Sequence, residues 1–402
     1  MWRFGVVVLL LASTLSHGQE KLSQHDYKQL KKAFDLIEAS QTQAAKQQLL
    51  SASDKVTSPY AKALVWQNLG QLELRAERHR TALKYLQKAH VLEALPATQQ
   101  SNLLKTIAQL HCMAEQWSAC STKLSRWIKR AGKQVRGDDH LLLAQAYSQQ
   151  EKWRSVLPSI RAAIATRKVA PRSWYQLETG AQIRLKRWAA AAKAQQRLVR
   201  IYPKRSADWR QLTALQLQAG QNKAALATQR MGFERGLLTQ GKDYRQLAQM
   251  LLRQGAPYKA GEVLERGLKG GSLKGTAREL TLLSQSWQLA KEKHKAIAAL
   301  TQLQKVTPSA KNLARIAQLQ IDLEQWRSAQ RTLSAALKSA KGDDRASLQL
   351  LLGITQVKLE QFVLARNALK AAADYPSVSG SAKSWLRYLE QVAPNEQLAV
   401  AG

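Results

Sequence analysis

A helix-pair pattern that recurs every ~33 to 38 residues constrains this chain more than any other feature. In each copy, a small residue is followed ~12 residues later by Ala-x-x-x-Leu-x-x-Ala or a close variant. The two clearest copies are Gly70, Ala82, Leu86 and Ala89, and Gly353, Ala365, Leu369 and Ala372. Further copies begin at Ala108, Ala144, Ala248, Ser284 and Ala317. Repetition on this scale is typical of a fold that stacks one small structural unit along the chain.

Each copy predicts two helices, because the small residue lies in an apolar stretch of helical period and the second stretch follows a short polar turn. The small residue lets the two helices approach each other closely. In several copies an aromatic residue opens the second helix, namely Trp117, Trp153, Trp188, Trp326 and Phe362. Aromatic residues at helical spacing indicate core packing between the paired helices.

The chain resembles the tetratricopeptide repeat (TPR) family, whose unit is about 34 residues long. Trp66, Leu69 and Gly70 have the spacing that the large residue, the leucine and the small residue have in that unit. The resemblance implies an all-α fold, a right-handed alpha solenoid of about ten TPR-like helix pairs between Tyr27 and Pro376. The stretch from Ser381 to about Val392 resembles the helix that caps such solenoids. We therefore expect a signal peptide at 1–18, a solenoid at 19–376, and a capping helix with a short tail at 377–402.

The N-terminus predicts an export signal. Arg3 precedes the apolar stretch from Val6 to Leu15, which is too short to span a bilayer with ease. Small residues at Ser16 and Gly18 favour cleavage after Gly18 and a periplasmic location. The alternative is an uncleaved membrane anchor. No second long apolar stretch follows Gln19, so we expect no transmembrane segment after cleavage.

The two cysteines fit that compartment. Cys112 lies near the predicted end of one helix and Cys120 near the start of the next. In a hairpin centred near Gln116 their Cα atoms can approach the ~5.5 Å that a disulfide needs, and an oxidising periplasm permits the bond. The alternative is two buried thiols, with Cys120 filling the small-residue position. We expect no metal here, because only His111 lies nearby.

The charge balance points to an acidic partner or surface, since 62 Lys and Arg face 28 Asp and Glu, a net charge of +34. A candidate basic patch comprises Arg184, Lys186, Arg187, Lys193, Arg197, Arg200, Lys204 and Arg205. Its partner is either an acidic protein or an anionic envelope polymer or lipid. The alternatives are a surface that only keeps the chain soluble, and a nucleic-acid-binding solenoid, against which export argues.

The sequence also predicts a groove, because a glutamine comes directly after the small residue in several copies. These residues are Gln71, Gln109, Gln145, Gln249, Gln285 and Gln318. In TPR solenoids this side of the first helix lines the concave surface, so the resemblance implies amides that contact an extended peptide. Arg75, Lys105, Arg245 and Arg253 on the same helices are expected to clamp carboxylates of an acidic segment. The alternative is an amide ladder that bonds from repeat to repeat without a ligand.

Motifs of catalysis are missing from the sequence: it has no Gly-x-Ser-x-Gly elbow, no phosphate loop and no paired metal-binding histidines. We expect no enzymatic activity, no cofactor and no metal. The stretch Trp174–Leu177, the pair Tyr202–Pro203 and the run Leu247–Gly271 resemble exported TPR proteins assigned to bacterial TonB energy-transduction systems. That resemblance implies a periplasmic scaffold, an accessory component of TonB-dependent uptake that acts by protein contact.

Overall fold

The computed structural model describes residues 22–393, so the expected signal peptide at 1–18 and the end of the tail lie outside the described residues. Within this range the chain is all-α, with no strand. It forms two compact units, one up to Tyr202 and one from Pro203. No helix in 22–393 has the length and apolar character needed to cross a bilayer.

The described part of the first unit contains ten α-helices and a short 3-10 turn, Gly132–Gln134. The helices are α1 (Gln24–Glu38), α2 (Thr42–Ser53), α3 (Pro59–Arg75), α4 (His79–Val91), α5 (Ala97–Met113), α6 (Trp117–Ala131), α7 (Gly137–Gln149), α8 (Trp153–Ala165), α9 (Arg172–Arg184) and α10 (Trp188–Ile201). Each odd-numbered helix packs on the even-numbered helix that follows it.

The second unit, described as far as residue 393, continues the alternation with eleven α-helices. These are α11 (Ser206–Gln218), α12 (Asn222–Glu234), α13 (Gly241–Arg253), α14 (Pro257–Lys269), α15 (Ala277–Leu289), α16 (Lys293–Val306), α17 (Ala310–Ile321), α18 (Trp326–Leu337), α19 (Gly342–Lys358), α20 (Phe362–Ala373) and α21 (Ser379–Val392). The prediction of about ten TPR-like helix pairs and a capping helix is confirmed. The last helix, α21, packs Leu389 and Trp385 against Leu369 of α20.

The small residues at the repeat positions have the expected effect on packing. A Cβ added at Gly70 of α3 would lie 2.3 Å from Leu86 Cδ2 of α4. A Cβ added at Gly353 of α19 would lie 2.6 Å from Leu369 Cγ of α20. Both distances are shorter than two non-bonded carbon atoms tolerate. The absence of a side chain at these glycines therefore lets the two helices of each pair approach this closely.

Every turn within a pair contains one residue with a left-handed backbone. Gly220 and Gly255 occupy this position in two pairs, where glycine adopts it without strain. The other eight pairs use Ser40, Glu77, Glu115, Glu151, Lys186, Lys291, Glu324 and Glu360. The turn therefore has one shape throughout the chain, although its sequence varies.

Candidate functional site

The six groove glutamines lie on first helices, as the resemblance implies. Gln71, Gln109 and Gln145 are half-buried on α3, α5 and α7 of the first unit. In the second unit, Gln249 on α13 is half-buried, while Gln285 and Gln318 are exposed. One side-chain hydrogen bond among them is found in residues 22–393: Gln318 Nε2 donates to Asp322 Oδ1 over 3.0 Å, within one turn of the chain. The described residues thus show no amide ladder from repeat to repeat.

A cationic cleft lies on the first helices of the second unit. Its volume is about 390 Å³, and it is lined by Leu217, Lys242, Arg245, Gln246, Gln249, Met250, Arg253 and Arg278. Most of these residues come from α13, where Lys242, Gln246, Gln249 and Arg253 recur every three or four residues and so share one helix face. Leu217 of α11 and Arg278 of α15 flank that face. The cleft contains three of the residues predicted for the groove: Arg245, Gln249 and Arg253.

Ion pairs between successive first helices hold α13 in place. Arg210 of α11 donates from Nε to Asp243 Oδ1 of α13 over 2.8 Å. Asp243 is fully buried, and its Oδ2 also accepts from the backbone N–H of Gln240, over 2.9 Å, at the start of α13. Arg245 of α13 in turn donates to Glu279 Oε1 of α15 over 2.6 Å. The cleft therefore stands on three linked helices rather than on a mobile loop.

Arg245 has a different role from the one its sequence position suggested. The sequence predicts that Arg245 clamps a ligand carboxylate, but the buried Glu279 already neutralises its charge. Burial by itself would raise the pKa of Glu279, but hydrogen bonds from the Thr276 backbone N–H and from Arg245, with the Arg245 charge, hold that pKa below its ordinary value. Glu279 is therefore ionised at neutral pH, and Arg245 serves chiefly to position α13 against α15.

The ligand-binding charge of the cleft comes from the remaining cations. None of the ion pairs within residues 22–393 involves Lys242, Arg253 or Arg278. All three are exposed. Lys242 and Arg278 were not among the predicted groove residues; a pattern of basic residues in the first turn of successive first helices would have found them. Three uncompensated positive charges beside the Gln246 and Gln249 amides suit a ligand with at least two carboxylates or a phosphate.

The other two predicted clamp residues lie in the first unit. Lys105 of α5 contacts Asp139 Oδ1 of α7 over 2.7 Å, and its ammonium lies 4.3 Å from the centroid of the Trp127 ring. Its charge is used within the fold, like that of Arg245. Arg75, at the end of α3, is exposed, and no described ion pair includes it. Of the predicted clamp residues, Arg75 and Arg253 thus keep a charge that a ligand can use.

An ion pair that the sequence patterns above do not predict links an acid near the start of one first helix to a base one repeat earlier. It recurs in Lys105–Asp139, Arg210–Asp243 and Arg245–Glu279. Each acid is the third residue of its helix and accepts the backbone N–H just before that helix, which is a capping contact. An acid at this position, with a base 33 or 34 residues before it, is the signal that identifies the link in sequence.

The basic patch falls on both sides of the division between the units. Arg184, Lys186, Arg187, Lys193, Arg197 and Arg200 belong to the first unit, and Lys204 and Arg205 to the second. In the first unit, Lys193 and Arg200 are exposed on α10, seven residues apart and so on one helix face. Arg197 instead pairs with the buried Glu178, which Arg161 also contacts. The Arg184 guanidinium lies 5.6 Å from the Trp153 ring centroid.

The structure joins Cys112 at the end of α5 to Cys120 in α6 by a disulfide, with Cα atoms 5.0 Å apart. Both cysteines are buried, and Trp117 packs against them. Nearby, His111 Nδ1 lies 2.6 Å from Gln116 Oε1 in the turn. No group of three or more His, Cys, Asp or Glu side chains in residues 22–393 is arranged to hold a metal ion.

The ten TPR-like helix pairs found between residues 22 and 393 define this chain as an α-helical repeat protein. No protein-family model matches its sequence, and no curated protein does. Solved structures that match it include a tetratricopeptide repeat protein from Parabacteroides merdae, with 14% identity, 66% of this chain and 99% of the other covered, and a TM-score of 0.34. The C-terminal part of a TPR repeat-containing protein from Cytophaga hutchinsonii matches with 14% identity, 71% and 99% coverage, and a TM-score of 0.33. MamA from Desulfovibrio magneticus matches with 18% identity, 43% and 96% coverage, and a TM-score of 0.32.

Proposed function

We propose that this protein is a non-enzymatic scaffold that binds an acidic segment of a partner protein in its cationic cleft. The observation that carries the proposal is the set of three unpaired cations, Lys242, Arg253 and Arg278, around the Gln249 amide on a braced helix face. A carboxylate-rich segment supplies the missing charge, and the amides bond to its backbone. Positive charge concentrated in a cleft also speeds the encounter with such a segment.

We further propose that the scaffold acts in the periplasm as an accessory component of a TonB-dependent uptake system. The apolar N-terminal stretch with its small residues before Gln19 supports export, and the Cys112–Cys120 bond suits an oxidising compartment. The TonB assignment rests on the sequence resemblance of the middle repeats. Its test is in-cell crosslinking in the native host: TonB-complex proteins crosslink to the wild-type chain and not to a chain altered in the cleft.

A second candidate function is binding of an anionic envelope polymer or lipid by the basic patch. The exposed pair Lys193 and Arg200, which share one face of α10, favours it. This kind of contact depends on charge density rather than on a defined cleft, so its affinity falls steeply with salt. Calorimetric titration of variants that lose charge in the cleft or on α10 separates this candidate from the cleft hypothesis.

The experiment is calorimetric titration of the full chain with the capped peptide Gly-Glu-Glu-Gly-Glu-Glu-Gly and with its all-glutamine counterpart. A double variant, Lys242→Gln with Arg253→Gln, removes two positive charges from the cleft. The matched control, Lys193→Gln with Arg200→Gln, removes two from α10. We expect the cleft variant to bind the acidic peptide at least ten times more weakly and the control to bind it like the wild type. Equal weakening in both variants rejects the cleft and favours the second candidate.

A further inference from the structure

A second cavity lies on the first helices of the first unit, beside the disulfide. Its volume is about 510 Å³, and it is lined by Gln109, Cys112 and Met113 of α5, Trp117 of α6, and Leu142, Gln145 and Gln149 of α7. We call it the neutral pocket, because no charged residue within 22–393 lines it. That is notable in a chain whose net charge is +34. A volume of this order holds one large side chain together with its peptide groups.

The neutral pocket has two kinds of lining, an apolar set that we call the floor (Cys112, Met113, Trp117 and Leu142) and an amide set that we call the rim (Gln109, Gln145 and Gln149). Met113, Trp117, Leu142 and the bridged Cys112 present apolar, polarisable surface, and Met113 is 48% exposed. Burying a charged group against such a floor is costly without a partner, so the pocket selects an uncharged ligand. Because a thioether and an indole both make favourable contacts with an aromatic ring, the floor fits an aromatic side chain best.

The rim carries three glutamine amides that no described hydrogen bond engages, those of Gln109, Gln145 and Gln149. Gln145 and Gln149 lie one turn apart on α7, about 6 Å along the helix. Alternate residues of an extended chain lie about 6.6 Å apart. The two amides therefore match two successive peptide groups that face the same way along an extended segment, and Gln109 adds a third amide from α5.

The wall of the pocket is fixed before any ligand arrives. The disulfide joins α5 to α6 at the floor. Gln150, just after α7, donates from Nε2 to the carbonyl of Trp117 over 2.8 Å and to Ser121 Oγ over 2.9 Å, which ties α7 to α6. A pocket whose walls are already held loses little conformational freedom on binding, so even a short segment can occupy it.

We infer that the neutral pocket is a second binding site, specific for an extended, uncharged peptide segment with an aromatic side chain. The aromatic ring occupies the floor beside Met113 and Trp117, and the peptide groups bond to the rim amides. This site differs from the cationic cleft in ligand chemistry and in location, since the cleft belongs to the second unit. The neutral pocket binds its ligand whether or not an acidic segment occupies the cationic cleft.

Methionine methyl NMR tests both sites in one sample of the full chain. Of the four methionines in the sequence, Met113 lies in the neutral pocket and Met250 in the cationic cleft. Met231 of α12, also 48% exposed, serves as the surface reference. The probe is the capped neutral tripeptide Ala-Phe-Ala, with Ala-Ala-Ala as its control. We expect saturable shifts of the Met113 methyl signal with the phenylalanine peptide, with Met231 and Met250 unchanged.

Variants of the two equally exposed methionines then measure affinity. Met113→Ser is expected to weaken binding of the Ala-Phe-Ala peptide at least tenfold, whereas Met231→Ser leaves it unchanged. Thermal unfolding of both variants shows that the fold is retained. The inference is overturned if Ala-Ala-Ala shifts Met113 as strongly as Ala-Phe-Ala, if Met231 shifts as much as Met113, or if both variants bind alike. If the acidic peptide of the calorimetric titration does not shift the Met250 methyl signal, that result rejects the cationic cleft and leaves the neutral pocket unaffected.

Discussion

Glu151 lies in the turn between α7 and α8 with φ at 55°, in the left-handed region that suits glycine. An ordinary side chain there costs about 1–2 kcal/mol. We expect Glu151→Gly to raise the free energy of unfolding by about 0.5–1 kcal/mol, because relief of this strain exceeds the entropy that glycine adds to the unfolded chain. Urea denaturation followed by circular dichroism measures the change.

The reverse change at Gly255 is the matched control. Its φ is 72°, and a Cβ added there meets no atom within 4 Å, so Gly255→Ala tests the backbone alone. We expect it to lower the free energy of unfolding by about 1 kcal/mol. If neither variant changes stability, the turns do not hold the left-handed conformation in solution.

Gly70 and Gly180 separate the two roles of glycine inside a helix. A Cβ at Gly70 would lie 2.3 Å and 2.5 Å from two Leu86 carbons, whereas a Cβ at Gly180 meets no atom within 4 Å. Overpacking costs about 1–3 kcal/mol, against a gain of about 1 kcal/mol in helix propensity. We expect Gly70→Ala to destabilise the protein and Gly180→Ala to stabilise it by about 0.5–1 kcal/mol, measured by thermal unfolding. Equal effects would mean that Leu86 moves aside freely.

At the scale of the element, the link between α13 and α15 depends on pH. The pKa of Glu279 lies below its ordinary value of 4.5, so the ionised form stabilises the fold above that value, and this contribution is lost as the pH falls through the folded pKa. We expect Glu279→Gln to lower the melting temperature at neutral pH. The difference from the wild type should shrink steadily as the pH is lowered below about 4.5. A difference that does not change with pH would assign the loss to packing instead.

The same variant connects this link to ligand binding. Removal of the Glu279 charge leaves Arg245 unpaired at the edge of the cleft, which adds a fourth available cation beside Lys242, Arg253 and Arg278. Under the proposed function, Glu279→Gln therefore binds the acidic peptide more tightly at neutral pH although it folds less stably. A purely structural role for Glu279 predicts the loss of stability without the gain in affinity.

The positions of the helices were predictable from the sequence where a local residue pattern determines them. The aromatics Trp117, Trp153 and Phe362 do open their second helices, and α21 begins at Ser379, two residues before the expected start. The partners of Lys105 and Arg245 were not predictable in the same way. A helix face tells which side chains share a side, but the offset between neighbouring pairs decides whether a base meets a ligand or an acid 34 residues later.

At the scale of the whole molecule, the excess of bases over acids sets the charge of the surface. Asp139, Glu178, Asp243 and Glu279 are buried carboxylates, and each is neutralised by a basic partner. The positive charge therefore comes from the bases in excess of the 28 acids. Any anion therefore meets a positive field, and specificity must come from shaped sites. For this reason, the control variants remove equal charge elsewhere.

The stacking of helix pairs also predicts how far along the chain a destabilising substitution acts. Within the second unit, each helix contacts chiefly the helices next to it in the chain, so stability is a sum of local terms rather than the property of one core. Gly353→Ala drives a Cβ to within 2.6 Å of Leu369 Cγ and strains the α19–α20 pair. We expect amide hydrogen exchange, read by mass spectrometry, to accelerate in α18 to α21 and to stay at the wild-type rate in α11 and α12. Uniform acceleration across the second unit would instead show a single cooperative core, since a two-state domain exposes all its amides together.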